Sequence, residues 1–230
     1  MVVAELSVAI ERKAIRHCYI RVTPPEGAVR VSAGPAYSDA AIRALVTSRL
    51  PWIRAQRERL QRREEAMPAE PALSDGARLH FQGTVYPLRI VIGPGKSGVR
   101  CLNGELQMTI TPESDEATRR RLLEGFYRRE AKARLPALVA HWEPIMGVQV
   151  NDARVRRMKT LWGSCNPQAQ RIWLNLDLIR YPQACLEYVL VHEMVHLLER
   201  GHNARFYGLM DRFMPDWRGR RALLNGRCVD

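Results

Sequence analysis

The sequence predicts an α+β protein: a β-rich N-terminal region, then a domain in which a histidine-bearing helix lies under a small sheet. Three observations carry this reading. Residues 6–34 and 77–111 are short β-prone runs punctuated by glycine and proline, the pattern of strands joined by turns. Residues 39–60 and 113–146 space their apolar side chains at helical intervals. From Tyr188 to Leu198 nearly every position is apolar except His192, Glu193 and His196, as expected of a helix buried on all sides.

Taken in order, Tyr19-Ile20-Arg21-Val22 and Val29-Arg30-Val31 read as strands around a turn at Pro24-Pro25-Glu26-Gly27. Ser38 is an N-cap for a helix starting near Asp39, because its hydroxyl can accept a backbone N–H of the first turn. That helix carries Ile42, Leu45, Val46, Leu50, Ile53 and Leu60, with a bend expected at Pro51 and fraying at Gln61–Glu65. Pro68 to Pro71 reads as a linker. Strands are expected at 79–81, 86–92, 99–102 and 106–110. Glycines 93, 95 and 98 precede a strand rather than a helix, so they form a hairpin loop and not a phosphate loop. A long helix over 113–146 is expected to break near Pro136. Its Arg119–Arg121 and Arg128-Arg129 clusters are read as a solvated face, with anion binding as the alternative. The resulting organisation is 1–70 (strands plus helix), 71–112 (β-hairpins) and 113–230 (the histidine-bearing domain), which could pack as one unit.

The chemistry concentrates in His192-Glu193-Met194-Val195-His196 and Gly201-His202. Positions four apart on a helix sit one above the other, so His192 and His196 can turn their rings to one ion. Glu193 lies about a quarter-turn away, where it can reach a water on that ion without ligating it. Gly201 is expected to take a left-handed conformation that ends the helix and returns His202 to the ion. No glutamate follows Glu199, and the Cα of Glu199 stands about 10 Å along the axis from His192, so the third ligand is assigned to His202. Three histidines leave a fourth position for water, the mark of a catalytic zinc site. Arg171–Leu176 alternates apolar and polar side chains and is read as the strand beside which substrate lies, with Trp173 and Asn175 touching it. Lys159 and Tyr207 are candidates to steady an oxyanion. Asn203 is expected to cap a last helix bearing Phe206, Leu209, Met210 and Phe213, packed beneath the metal site.

Net charge is +12 and spread along the chain, with 12 basic against 8 acidic residues in 1–70, 11 against 8 in 71–150 and 13 against 8 in 151–230. Such a surface favours anionic partners. Five scattered cysteines without a CxxC pair argue against a disulfide framework and a cysteine zinc knuckle. The apolar stretch 2–10 is interrupted by Glu5 and followed, not preceded, by basic residues, so it is not a secretory signal. No run approaches the length of a membrane span, and a cytoplasmic protein is expected.

Lys159-x-x-Trp162-Gly163-Ser164-Cys165, Leu174-Asn175, Pro182, Tyr188-Val189 and HExxHxxxxxHxxxFY occur in this order, and with them the chain resembles the YgjP-like metallopeptidases. These are relatives of the SprT-like zinc proteases within the zincins. The resemblance extends over nearly the whole length, including Trp52-Ile53 and Gly83-x-x-Tyr86-x-Leu88. It implies a zincin-like metallohydrolase domain, zinc at His192, His196 and His202, and Glu193 as catalytic acid and base. Leu161 stands where the family usually has arginine, and Tyr207 where it usually has tryptophan. The resemblance allows a peptide or protein substrate, or a nucleotide, since pyrophosphatase activity has been attributed to members. The expected activity is a zinc-dependent metallopeptidase; the alternatives are a nucleoside triphosphate pyrophosphohydrolase and a nucleic-acid-associated protease module.

Overall fold

In a computed structural model the chain is described over residues 1–23, 27–66 and 71–225, with the side chains of 59 and 62–66 left out. The turn at 24–26, the linker at 67–70 and the C-terminal 226–230 lie outside the described residues. The fold is mixed α+β, with six α-helices and three small sheets among the described residues. The chain divides into two compact units, Met1–Pro68 and Ala69–Asp230.

The first unit contains β1 (Val2–Val3), β2 (Leu6–Arg12), β3 (Tyr19–Thr23), β4 (Ala28–Ala33), α1 (Asp39–Ser48) and α2 (Leu50–Ala66). Its sheet has the order β1-β2-β4-β3, with β2 and β4 parallel and the outer pairs antiparallel. Ser38 caps α1, its hydroxyl accepting from the Ala41 N–H at 3.1 Å. Pro51 sits in the first turn of a new helix, where its missing N–H has no partner to lose. The expected bend is therefore a break between two helices. Val8, Val29, Val31, Ile42, Val46 and Ile53 form this unit's own core.

The second unit repeats the sheet. β5 (Arg78–Phe81), β6 (Thr84–Ile92), β7 (Gly98–Leu102) and β8 (Glu105–Ile110) are ordered β5-β6-β8-β7, again with a parallel central pair and antiparallel outer pairs. A capped helix follows each sheet: Asp115 caps α3 (Glu116–Met146) as Ser38 caps α1. α3 runs 31 residues without the break expected at Pro136. Proline removes one backbone bond and strains the preceding turn. Leu135, Leu138 and Trp142 are buried on both sides of it, and their packing holds the helix together.

Then come β9 (Asp152–Arg156), β10 (Gly163–Asn166), β11 (Arg171–Asn175), a 3-10 turn over Leu176–Arg180, α4 (Gln183–Val195), α5 (Ala204–Phe213) and α6 (Trp217–Leu224). The helix α6 had no counterpart in the expectation from sequence. The three-stranded sheet has the order β10-β11-β9, and α4 packs against β10 and β11. One core unites β5–β8, α3, this sheet and α4–α6, so residues 71–112 are not a separate body. Nine of the thirteen residues of α4 are buried, eight of them non-acidic core side chains such as Leu186, Val189, Leu190, Val191 and Val195. Each large apolar side chain of this kind contributes about 1.5–3 kcal/mol on burial.

Gly83 ties the hairpin β5–β6 to the start of α4. Its backbone is left-handed (φ +79°), and a Cβ there would stand 2.6 Å from Pro182 Cγ. The Gln82 and Gly83 N–H groups donate to the carbonyls of Ile179 and Arg180 at 2.8 and 3.1 Å. Among the described residues no helix is long and apolar enough to cross a membrane.

Candidate metal centre

The three histidines meet at the C-terminal end of α4. One ring nitrogen from each of His192, His196 and His202 lies within 4.8 Å of the others, and ring centroids are separated by 4.8–5.1 Å. His192 stands in the last turn of α4, and His196 is the residue that ends the helix. His202 enters from the segment between α4 and α5, and its Nε2 lies 3.0 Å from Nε2 of His192.

How the chain returns differs from the expectation. Gly201 is not in the left-handed region, and a Cβ there would meet nothing within 4 Å. The turn is held instead by Glu199, whose Oε1 accepts the Gly201 N–H at 3.2 Å. Asn203 then caps α5, its Oδ1 accepting from Phe206 N–H at 3.0 Å.

The surroundings orient the rings. His196 Nδ1 lies 3.1 Å from the Glu199 carbonyl. A carbonyl oxygen only accepts, so this contact places the proton on Nδ1 and leaves Nε2 with a free lone pair, as in metal-bound imidazoles. Beneath the cluster, the fully buried ring of Phe206 lies 4.9, 4.8 and 4.6 Å from the rings of His192, His196 and His202. Tyr188 meets His192 edge-on at 6.0 Å, and Tyr207 stacks on His202 at 6.5 Å. Trp217 of α6 stacks between these two tyrosines, 6.4 Å from Tyr188 and 5.8 Å from Tyr207. The same indole donates to Asp211 Oδ1 at 2.8 Å. The sequence reading missed Trp217 because α6 carries no strong boundary signal.

α6 is fastened to α4 by charge as well. Arg220 donates to Glu187 Oε2 at 2.6 Å and to Asp216 Oδ2 at 2.8 Å, while Trp142 of α3 donates to Glu187 Oε1 at 3.0 Å. Glu187 thus joins three helices.

Glu193 is 6% exposed, and burial pushes its carboxyl up to about 8. The carboxylate faces the first residue of β10, since a Cβ on Gly163 would stand 2.6 Å from Glu193 Oε1. Cys165, two residues further along β10, is half-buried; burial, with the Glu193 carboxylate adding to it, pushes its thiol up to about 11.

The histidine donor set fits a divalent metal. Nitrogens 2.0–2.1 Å from a tetrahedral zinc stand about 3.3 Å apart, so the cluster needs only small side-chain adjustments.

Four residues expected to touch substrate are placed differently from one another. Tyr207 stands beside the cluster through His202 and is 36% exposed. Lys159 is exposed in the segment before β10. Asn175 is fully buried. Its side chain donates to the carbonyls of Met158 and Leu161 at 2.8 and 2.9 Å and accepts from the Met158 N–H at 3.3 Å, so it staples the loop before β10 rather than meeting substrate. Trp173 points away from the buried Ile172 and Leu174, onto the sheet face opposite the core. Nor does β11 offer an edge: it is the central strand, antiparallel to β10 and parallel to β9. Alternation along a strand reports which face is covered, not whether the edges are paired. The edge strand on the α4 side is β10.

A family model described as YgjP-like, metallopeptidase domain, matches residues 16–227. A comparison with the curated proteins finds no match. Among solved structures the chain is similar to the crystal structure of the metallopeptidase zymogen of Pyrococcus abyssi abylysin, at 20% identity and a TM-score of 0.35, covering 41% of this chain and 98% of that chain.

Proposed function

The chain belongs to the YgjP-like metallopeptidase family, and on that premise we propose that it is a zinc-dependent peptidase acting on extended polypeptide. The observation that carries the proposal is the convergence of three imidazole nitrogens at the end of the helix that also bears a buried glutamate against Gly163, the first residue of β10, an edge strand among the described residues.

His192, His196 and His202 would hold the ion, and zinc bound there would supply Lewis-acid polarisation of a carbonyl and activation of water. The Glu199 carbonyl keeps the His196 tautomer fixed, with Nε2 free for ligation. Glu193 accepts the proton of the attacking water and returns it to the leaving amine. Its burial raises its basicity toward neutral pH, which suits a group that must both take and give a proton. Gly163, lacking a side chain, leaves room for that carboxylate.

The outer edge of β10, unpaired among the described residues, would take the substrate backbone as an added strand, its peptide groups satisfying main-chain donors and acceptors while the scissile bond reaches the histidines. Tyr207, 36% exposed with its ring 6.5 Å from that of His202, would donate to the developing oxyanion.

The test assays the zinc-loaded protein on unfolded proteins, short peptides and a panel of nucleoside triphosphates. Peptide-bond cleavage that a chelator abolishes and zinc restores supports the reading. Pyrophosphate release with no peptide cleavage overturns it.

A further inference from the structure

The outward face of the sheet β10-β11-β9 carries a feature that peptide hydrolysis does not use. Register places Arg154 of β9 beside Trp173 of β11, and Asp152 beside Arg171 two residues earlier. These side chains share the pleat opposite the buried Val155, Ile172 and Leu174. The guanidinium of Arg156 lies 5.0 Å from the Trp173 ring centroid and that of Arg154 5.8 Å. Trp173 remains half-exposed, and the Arg154 side chain is 61% exposed. Asp152 is the sole acid among the strand residues of this face and pairs with Arg154 at 2.8 Å.

Guanidiniums arrayed over a half-buried indole answer two demands at once. The forks match phosphate oxygens, and the ring offers a platform for an unpaired base. An acidic peptide has no use for the platform. A membrane surface would call for protruding aliphatic side chains, which this face lacks.

We propose that the outer face of β9 and β11 binds single-stranded nucleic acid, with backbone phosphates on Arg154, Arg156 and Arg171 and a base stacked at Trp173. The inference is independent of the metal centre, which lies against the opposite face of the sheet on α4.

Fluorescence anisotropy of the full chain with labelled dT20 and rU20, titrated with salt, tests it. Binding should weaken linearly in log salt. The exposed-site double substitution Arg156→Glu with Arg171→Glu should weaken binding at least tenfold and flatten the salt slope. Trp173→Leu should weaken binding about tenfold with the slope unchanged. Glu193→Gln should bind as the wild type does, which separates this result from any failure of the peptidase reading. Thermal unfolding checks that each variant folds; if Trp173→Leu does not, the arginine pair decides. The proposal is overturned if neither oligonucleotide binds at low salt or if the folded arginine variant binds unchanged. It is equally overturned if polyglutamate or phosphatidylserine vesicles compete as well as the oligonucleotides.

Discussion

Gly163 and Glu193 are in such close approach that any side chain at 163 collides with the buried carboxylate: an added Cβ would stand 2.6 Å from Oε1, 2.7 Å from Cγ and 2.8 Å from Cγ1 of neighbouring Val189. A glycine opening β10 therefore sets where the general base of the proposed mechanism can sit. Gly163→Ala should lower kcat/KM at least tenfold, about 1.4 kcal/mol in transition-state stabilisation, while bound zinc stays at one per chain. Full activity in the alanine variant would show that Glu193 need not occupy this position.

Phe206 supports all three histidine rings from below, its ring centroid 4.9, 4.8 and 4.6 Å from those of His192, His196 and His202. Truncation to alanine should destabilise the protein by about 3–5 kcal/mol, the range for emptying a phenylalanine site in a packed core. Phe206→Leu keeps most of the volume and should fold, but bind zinc more weakly than wild type in a chelator competition. Unaltered zinc affinity in the leucine variant would mean that the platform does not orient the rings.

Asn175 separates a structural role from a substrate contact. Its amide is buried and hydrogen-bonded to the loop that leads into β10. Asn175→Ala leaves two carbonyls and the N–H groups of Met158 and Asp177 without their partner, and each buried group left unpaired costs about 1–3 kcal/mol. Denaturant unfolding should show a loss of several kcal/mol, and the fraction that remains folded should bind peptide with unchanged KM. A raised KM without loss of stability would restore Asn175 as a substrate contact.

The metal-free protein should respond to pH through Glu193. Its carboxyl titrates near 4.5 unfolded and is pushed up to about 8 by burial in the native state. Below pH 4.5 both states hold the proton. Between 4.5 and 8 the native state keeps a proton that the unfolded chain has released, so this contribution to stability falls as pH rises and is lost above 8. The difference in unfolding free energy between wild type and Glu193→Gln, measured with chelator present, should decline across that window. A flat difference would mean that the native carboxylate is not held in a desolvated site.

Much of the site was legible in the sequence because its signals are local. His192 and His196 are related by helical spacing alone, and the caps at Ser38 and Asn203 are single side chains acting on their own next turn. What escaped depends on partners distant in the chain. The pairing of β11 on both edges could not be read from its alternation, and its outward Trp173 and inward-held Asn175 followed from that pairing. Pro136 ends a helix by local rules, yet α3 continues because the side chains flanking it are buried on a sheet and helices. The duplicated sheet order, β1-β2-β4-β3 and β5-β6-β8-β7, is a matter of topology that short strand patterns do not encode. Trp217 reaches the histidines through Tyr188 and Tyr207, two residues from different helices.

The central claim is that Glu193 moves the proton while the three histidines hold the ion. Turnover of a peptide substrate by zinc-loaded Glu193→Gln, with zinc content measured on the same sample, tests it most directly. One zinc per chain with turnover reduced at least about a hundredfold is the expected result, in keeping with the loss of a general base. One zinc per chain with turnover like that of the wild type would contradict it.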